Sequence, residues 1–490
     1  MTLQHEADYP VPEGIQPSLE RTLQVILREL DQVLVPELQS DRARTTASLL
    51  SQTLRQLIIR ETILPALLKG WTDREEALLS RIGAPPPHAP TASAFERHQL
   101  ITAAIATAAG QRAGQQSAVN HRGVEDPWTR EAIRIEREHV VERLRVEREL
   151  PHLQRTQERT GELDVTSARV EAYLRTKLPA SERLRVTKVS KILGGFSKET
   201  FIIDAELDGQ RWPAILRRDV PLGAVAGSVV EEAPLLTALH ARGLAVPEIL
   251  AVESDRTVLG EAFTITRRAP GETAFSNMRG LQMDSGQQDA ARALAEVLGQ
   301  LHSLDPNELD LPPSFFDARA AMADCVVRQI DAYEHAWLSR TSAPSPTMSA
   351  AFGWLRSHIP PSCGIARIVH GDAGLHNLML ANGRVSALLD WELSHMGDPI
   401  EDLAYCRTWI DQALPWDEFL EVYYRNGGHE YRPEYERFYG VLSNLRIVVF
   451  AAQSAYGTHW NDHPELPPLF AATHYHAVFL DKVAEQLLRS

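Results

Sequence analysis

The chain has 490 residues, too many for one ordinary hydrophobic core, so two or three domains are expected. Apolar and charged fractions of 44% and 23% are those of a soluble globular protein rather than a fibrous or disordered one. A net charge of −15 provides no basic surface for nucleic acid or an anionic membrane, so neither is expected as a partner.

Residues 1–14 carry acids and prolines in place of a basic and then apolar leader. From 19 to about 79 the pattern is helical: Leu19, Leu23, Ile26, Leu27, Leu30 and Leu34 fall on one face, with Ser18 as N-cap and Pro36 as terminator. A second face runs through Leu50, Leu54, Leu57, Ile58 and Leu64. The proline-rich run 84–90 is a stiff connection, and 101–109 is an Ala-rich helix. Asp126-Pro127 opens a charged helix to about 149, whose charges form a solvated face. No catalytic constellation stands out before about residue 165.

The pattern then changes. A short helix over 165–178 precedes strand-like runs at 185–192, 200–207 and 211–217, separated by the turn signals Gly194-Gly195 and Asp208-Gly209. A helix over 230–241 and strands at 249–252 and 263–267 follow. The remainder is mostly helical. No stretch approaches the ~20 consecutive apolar residues of a spanning helix. Cys325, Cys363 and Cys406 are widely spaced, as in a reducing compartment, and a cytoplasmic location is expected.

The most informative segment is Ile368-Val369-His370-Gly371-Asp372-Ala373-Gly374-Leu375-His376-Asn377, followed by Asp390-Trp391-Glu392. Asn382-Gly383 signals a tight two-residue turn, because both central positions need positive φ. A hairpin centred there pairs Asn377 with Leu388 and places Asn377 and Asp390 as diagonal neighbours on one face. Two hard oxygen ligands so placed suit Mg2+, with Asp372 beside them as a base. His370 is expected to be structural. Asp398-Pro399-Ile400-Glu401 has the form of a helix start, and Asp402 is expected to brace the loop.

These residues follow the order of the protein-kinase catalytic loop, with His-Gly-Asp in place of His-Arg-Asp and Asp-Trp-Glu in place of Asp-Phe-Gly. With Gly397-Asp398-Pro399 and Asp402-Leu403-Ala404, the segment resembles the aminoglycoside phosphotransferase family. Within that family it is most similar to members related to the kinase-like domains of acyl-CoA dehydrogenase fusion proteins.

The resemblance implies an α+β, two-lobed protein-kinase-like fold. It comprises an antiparallel small lobe over 161–270 for the nucleotide and a mainly helical large lobe over 271–490. An all-α region over 1–160, of unknown role, precedes them and offers helices for homo-oligomer contacts. The resemblance makes Asp372 the catalytic base and Asn377 and Asp390 the metal ligands; Glu392 is either a further ligand or a brace. It places Gly194, Gly195 and Ser197 at the phosphates. Arg217 stands where such kinases have a lysine, and its partner is Glu232, with Glu231 as competitor; Arg218 is expected at the surface. The backbone of Arg267 and Ala269 would read the nucleobase. ATP and Mg2+ are the implied cofactors, with GTP left open, and the acceptor is the hydroxyl of a small metabolite such as a hydroxyacyl-CoA. The aromatic residues after 409, including Tyr423, Tyr435, Phe438, Tyr439 and Tyr456, would wall the acceptor site. An antibiotic kinase and a nucleotide-binding pseudokinase are the alternatives.

Overall fold

The computed structural model describes residues 22, 64–84, 87, 94–113, 124–149, 165–178, 183–192, 197–220, 223, 227–274, 285–311, 321–341, 344–361, 366–460 and 466–489. The helices expected before residue 64, most of the proline-rich run, Gly194, Gly195 and Cys363 lie outside the described residues.

Three helices come first: α1 (Leu64–Ser80), α2 (Ala94–Ala113) and α3 (Pro127–Glu149). Asp126 caps α3 as its sequence suggests, its Oδ2 accepting from the Thr129 N–H at 2.7 Å. Next, α4 (Ser167–Lys177) covers a sheet made of β1 (Leu184–Ile192), β2 (Lys198–Leu207), β3 (Gln210–Arg211), β4 (Ala214–Asp219), β5 (Ile249–Glu253) and β6 (Phe263–Arg267). The spatial order is β1-β2-β4-β6-β5, with β3 paired to β2, and every pairing is antiparallel. Phe201, Ile203, Leu216, Phe263 and Ile265 alternate inward and meet Val170, Tyr173 and Leu174 of α4. The single strand expected over 211–217 is two strands. Pro213 lacks an N–H for the ladder, so β3 stops at Arg211 and β4 begins at Ala214. The inserted helix α5 (Val229–Ala241) opens with a Ser228–Glu231 capping box.

The large lobe contains β7 (Glu272–Thr273), α6 (Ser285–Ser303), α7 (Met322–Arg340), α8 (Pro346–Ser357), β8 (Arg367–Val369), β9 (Leu378–Ala381), β10 (Arg384–Leu388), β11 (His395–Gly397), α9 (Ile400–Ala413), α10 (Trp416–Arg425), α11 (Pro433–Trp460) and α12 (His476–Leu488). This is the two-lobed protein-kinase-like fold preceded by a helical region. The aromatic residues expected to wall an acceptor site are mostly core: Tyr423, Tyr435, Phe438, Tyr439 and Tyr456 are all buried. Their spacing along α10 and α11 serves packing. Leu78, Leu79, Ile101, Ile105, Ala109 and Trp128 belong to the same apolar core as Trp354, Phe438, Val483 and Leu487.

The hairpin forms where expected, with Asn382 at φ 52° and Gly383 at φ 73°. Its register differs by one. Leu388 faces Leu378, not Asn377, because the pairing shifts between Val385 and Ala387 and leaves Ser386 as an extra residue. The Ser386 hydroxyl donates to the carbonyl of Pro270 at 2.7 Å, tying the hairpin to the chain that joins the lobes. At that junction Gly271 has φ +94°, and a Cβ there would lie 1.9 Å from the Leu380 carbonyl oxygen. At Gly383 nothing lies within 4 Å. We expect Gly383→Ala to cost about 1 kcal/mol, the left-handed backbone penalty alone. Gly271→Ala should cost about 3 kcal/mol or more, since backbone must also move. Urea unfolding of the two variants measures the difference; equal costs would mean that β9 does not hold the junction closely.

Candidate active site

The chain from β8 to the hairpin places Asp372 in a loop held from below by a helix. Asp402, fully buried near the start of α9, accepts from the backbone N–H groups of His370 and Gly371, both at 2.8 Å, and from His302 Nε2 at 3.1 Å. Burial opposes its charge, but the bonds to His302 and to the loop outweigh it and keep its carboxyl below the usual range. The bracing expected of Asp402 is therefore present in the structure. His370 is structural in a definite sense. Its Nδ1 accepts from the Asp372 N–H at 3.1 Å and its Nε2 donates to the Leu389 carbonyl at 2.9 Å, which fixes a neutral ring. Burial lowers its pKa accordingly.

Gly371 explains why glycine stands where protein kinases have arginine. Its φ is +82°, and a Cβ would meet the Leu393 carbonyl oxygen at 2.4 Å. The Gly371 carbonyl accepts from Arg446, whose guanidinium is fully buried and also binds Glu401 Oε1 at 2.7 Å. Glu401, read from sequence as the third residue of a helix cap, points inward instead, to Arg446 and to His395 Nε2 at 3.0 Å. Asp398 does cap α9, accepting from Ile400 N–H at 3.0 Å.

Above this scaffold the Asp372 carboxylate meets three partners. Asn377 Nδ2 donates at 2.8 Å, the Tyr405 hydroxyl at 2.5 Å, and His376 Nε2 lies at 3.4 Å. Burial alone would raise its pKa; His376 and these hydrogen bonds hold it at about 2. Asp372 is thus an oriented carboxylate with one-fifth of its side chain exposed to the cleft.

On the facing side, Arg217 of β4 binds Glu232 of α5 at 3.0 Å and Asp390 at 2.7 Å, with Glu392 at 3.5 Å. Glu232, not Glu231, is the ion-pair partner, since Glu231 is used by the cap of α5. Asp390 sits in the left-handed region, φ 66° and ψ 65°, directly after the Leu389 N–H that donates to the Asn377 carbonyl at 2.8 Å. The open end of the hairpin therefore brings Asn377 within one residue of Asp390. Ser197 donates to Glu392 at 2.5 Å, joining the start of β2 to the acidic group around Arg217. Three carboxylates around one guanidinium leave an excess of negative charge. Burial, followed by the charge of Asp390, pushes Glu392 up to about 8, and Glu232 Oε1 is buried with no hydrogen-bond partner. These hard oxygens are the donor type a divalent magnesium-like cation takes, and a cation there would favour the ionised form of Glu392.

Arg267 closes β6 as its last residue, its side chain paired to Glu248, and Ala269 follows beyond the sheet. Arg218, expected at the surface, is instead largely buried and paired with Glu199 at 2.7 Å, because the register sets Glu199 of β2 directly opposite it. Sequence reasoning missed Tyr405, Arg446, His302 and Lys198. Lys198 is buried and lies 3.0 Å from Asp219. For Arg446 there was a signal: a single arginine inside the apolar run 445–452 needs a buried partner.

A model of the phosphotransferase enzyme family matches residues 188–441, about half of the chain. Acyl-CoA dehydrogenase family member 11 of Gallus gallus is 28% identical over 257 residues, covering 52% of this chain and 32% of that protein. The probable acyl-CoA dehydrogenase IBR3 of Arabidopsis thaliana is 30% identical over 237 residues, covering 46% of this chain and 28% of that protein. The chain thus spans about a third of the length of the curated relatives it matches. Among solved structures, aminoglycoside phosphotransferase APH(4)-Ia is 16% identical over 66% of this chain and 99% of its own, with a TM-score of 0.42. Macrolide 2′-phosphotransferase MphH from Brachybacterium faecium is 18% identical over 60% of this chain and 99% of its own, also with a TM-score of 0.42. The family match takes in the whole catalytic loop, the hairpin and the Arg217–Glu232 pair, and by it the chain belongs to the phosphotransferase enzyme family.

Proposed function

We propose that the protein transfers the γ-phosphoryl group of ATP to a hydroxyl of a small molecule. The observation that carries this reading is the anchoring of Asp372 by Asn377, Tyr405 and His376, across the cleft from the Arg217, Glu232 and Asp390 cluster. Asp372 orients the acceptor hydroxyl and takes its proton as the oxygen bonds to the γ-phosphorus and the bond to the β-bridging oxygen breaks, releasing ADP. Such a transfer depends on position and charge neutralisation more than on a strong base, which suits a carboxylate with a low pKa. Asn377 and Asp390 are the residues to hold Mg2+, with Glu392 beside them; the ion supplies neutralisation of phosphate charge. Ser197 would contact the phosphates, Arg217 would supply the cation of the small lobe, and the backbone of Arg267 and Ala269 would read the base; Gly194 and Gly195, expected from sequence at the phosphates, lie outside the described residues. The ion pair from Arg217 to Glu232 speaks against the pseudokinase reading, since the substituted cation still makes the contact a lysine would make.

For the acceptor, a hydroxyacyl thioester or related hydroxy compound fits better than a polycationic antibiotic. Aminoglycosides need clustered acids, whereas Asp411 is paired to Arg407 and Glu418 to Arg292, and Asp417, Glu421 and Glu434 are spread along α10 and α11. The curated relatives are named as acyl-CoA dehydrogenases, which also directs the choice toward acyl compounds. Phosphorylating the hydroxyl would turn it into a leaving group.

The test is γ-phosphate transfer from Mg-ATP across hydroxyacyl-CoA thioesters, free hydroxy acids, amino alcohols and aminoglycosides. We expect Asp372→Asn to lower acceptor-dependent transfer about a thousandfold while ATP still binds. A protein that neither binds ATP nor transfers phosphate would sink the reading. Tyr405→Phe removes one hydrogen bond to a charged group, worth about 1.5–3 kcal/mol, and should lower kcat roughly 10- to 100-fold. Its affinity for ATP should stay unchanged; a loss confined to ATP binding would place Tyr405 outside the reacting centre.

A further inference from the structure

A second cluster of chemistry-bearing side chains lies among the N-terminal helices, on the far side of the sequence from the cleft. Glu75 of α1, His98 of α2 and His139 of α3 each offer one ligand atom, and these atoms all lie within 4.8 Å of one another. Among the described residues no other group of three histidine, cysteine or acidic side chains comes so close. Glu75 is 2% exposed and His139 6%. Glu75 Oε2, His98 Nδ1 and His139 Nε2 are all buried and make no hydrogen bond. His98 Nδ1 lies 2.8 Å from Glu75 Oε2, but not in the alignment of a hydrogen bond.

Three unsatisfied donor or acceptor atoms converging in one buried place would each carry a penalty of about 1–3 kcal/mol if nothing joined them. The surroundings hold these atoms in place. The other oxygen of Glu75 accepts from the Thr102 hydroxyl at 3.0 Å, and Trp71 stacks on the His139 ring at 4.3 Å and 11°. His98 and Arg74 are neighbours of His139. Arg74 is itself engaged by Glu138. The carboxyl of Glu136, one helical turn from His139, caps α8 through the Thr347 N–H at 2.7 Å and adds a second acid near Glu75.

We propose that Glu75, His98 and His139 form a zinc-type transition-metal site that fastens α1, α2 and α3 to one another. Two imidazoles and one carboxylate are a ligand set typical of zinc, with a water or another small ligand in the fourth position. The borderline-soft nitrogen pair selects against Mg2+, so this site and the cleft divide their cations by chemistry. Because each helix gives one ligand, metal binding is coupled to the packing of all three.

The test uses the full-length protein and zinc alone. The expected result is about one zinc per chain retained after dialysis, measured by mass spectrometry, and a Tm that rises with added Zn2+. Co2+ in place of zinc should give the visible absorption of a tetrahedral nitrogen and oxygen site. His139→Gln and Glu75→Gln should each weaken zinc binding at least tenfold, whereas Asp390→Asn should leave it unchanged, which separates this site from the cleft. His98→Asn, at the more exposed rim, is a further variant should the buried substitutions fail to fold. No retained zinc and no Tm shift at micromolar Zn2+ would overturn the proposal. Zinc binding that survives all three ligand substitutions, or that is lost in Asp390→Asn, would overturn it equally.

Discussion

Two neighbouring carboxylates on the first turn of α9, Glu401 and Asp402, are buried with essentially no exposure, and the geometry of the loop that carries Asp372 depends on both. Asp402 grips the loop by its N–H groups at His370 and Gly371, while Glu401 grips it indirectly, through Arg446, at the carbonyl of Gly371. Gly371, the residue before Asp372, is thus held at both its N–H and its carbonyl. Buried charges of this kind cost several kcal/mol of desolvation each and return little net stability when paired. In the described arrangement Arg446 and His302, together with the loop, supply hydrogen bonds to both acids. The left-handed Gly371, pressed against Leu393, is the backbone consequence of that double grip.

The same logic carries across the cleft. Arg217 is a fork with several donors, and it spends them on acids from both lobes: Glu232 from the inserted helix, and Asp390 and Glu392 from the segment after the hairpin. A lysine in that place is a compact point charge and would not present two separate edges to acids on opposite sides. The arginine thus links the lobes in the described state through the acids that surround it. Ser386 adds a second link, from the bulge of the hairpin to the junction at Pro270. The placement of Asp390 therefore depends on three separate features: the turn at Asn382-Gly383, the bulge at Ser386 and the positive φ of Asp390 itself.

The reading from sequence succeeded where a local rule is strong. Asn382-Gly383 dictates its turn by backbone sterics, Asp126-Pro127 dictates a helix start, and the alternating strands of the small lobe face a core because one side is apolar. It failed where the answer depends on packing between distant segments. The bulge at Ser386 has no local signature, so the register was wrong by one residue. Tyr423 and Phe438 looked like pocket walls, since an aromatic residue in a helix carries the same pattern whether its neighbour is a ligand or another helix. Glu401 looked like a cap for the same reason: position N3 suits a glutamate, and only the arrival of Arg446 from α11 turns it inward. The cluster of Glu75, His98 and His139 has no spacing that a motif could capture, because its members stand on three separate helices.

The N-terminal helices gain physical meaning from what lies beneath them. The core that contains Trp354 and Leu487 continues without a break into Ile101, Ile105 and Trp128, so the outer faces of α8 and α12 are apolar because α2 and α3 cover them. Side-chain links follow the same seam: Arg137 to Asp481 at 2.7 Å, and Glu136 to the start of α8. A large lobe without this cover would present an apolar surface of the kind that drives association. The matched family segment begins only at residue 188, yet the stability of its catalytic half rests partly on residues before 150. Hydrophobic burial thus binds the helical region to the large lobe, while the cleft depends on charges placed elsewhere. Among the described residues, the first region meets the second through this shared core and these side-chain links.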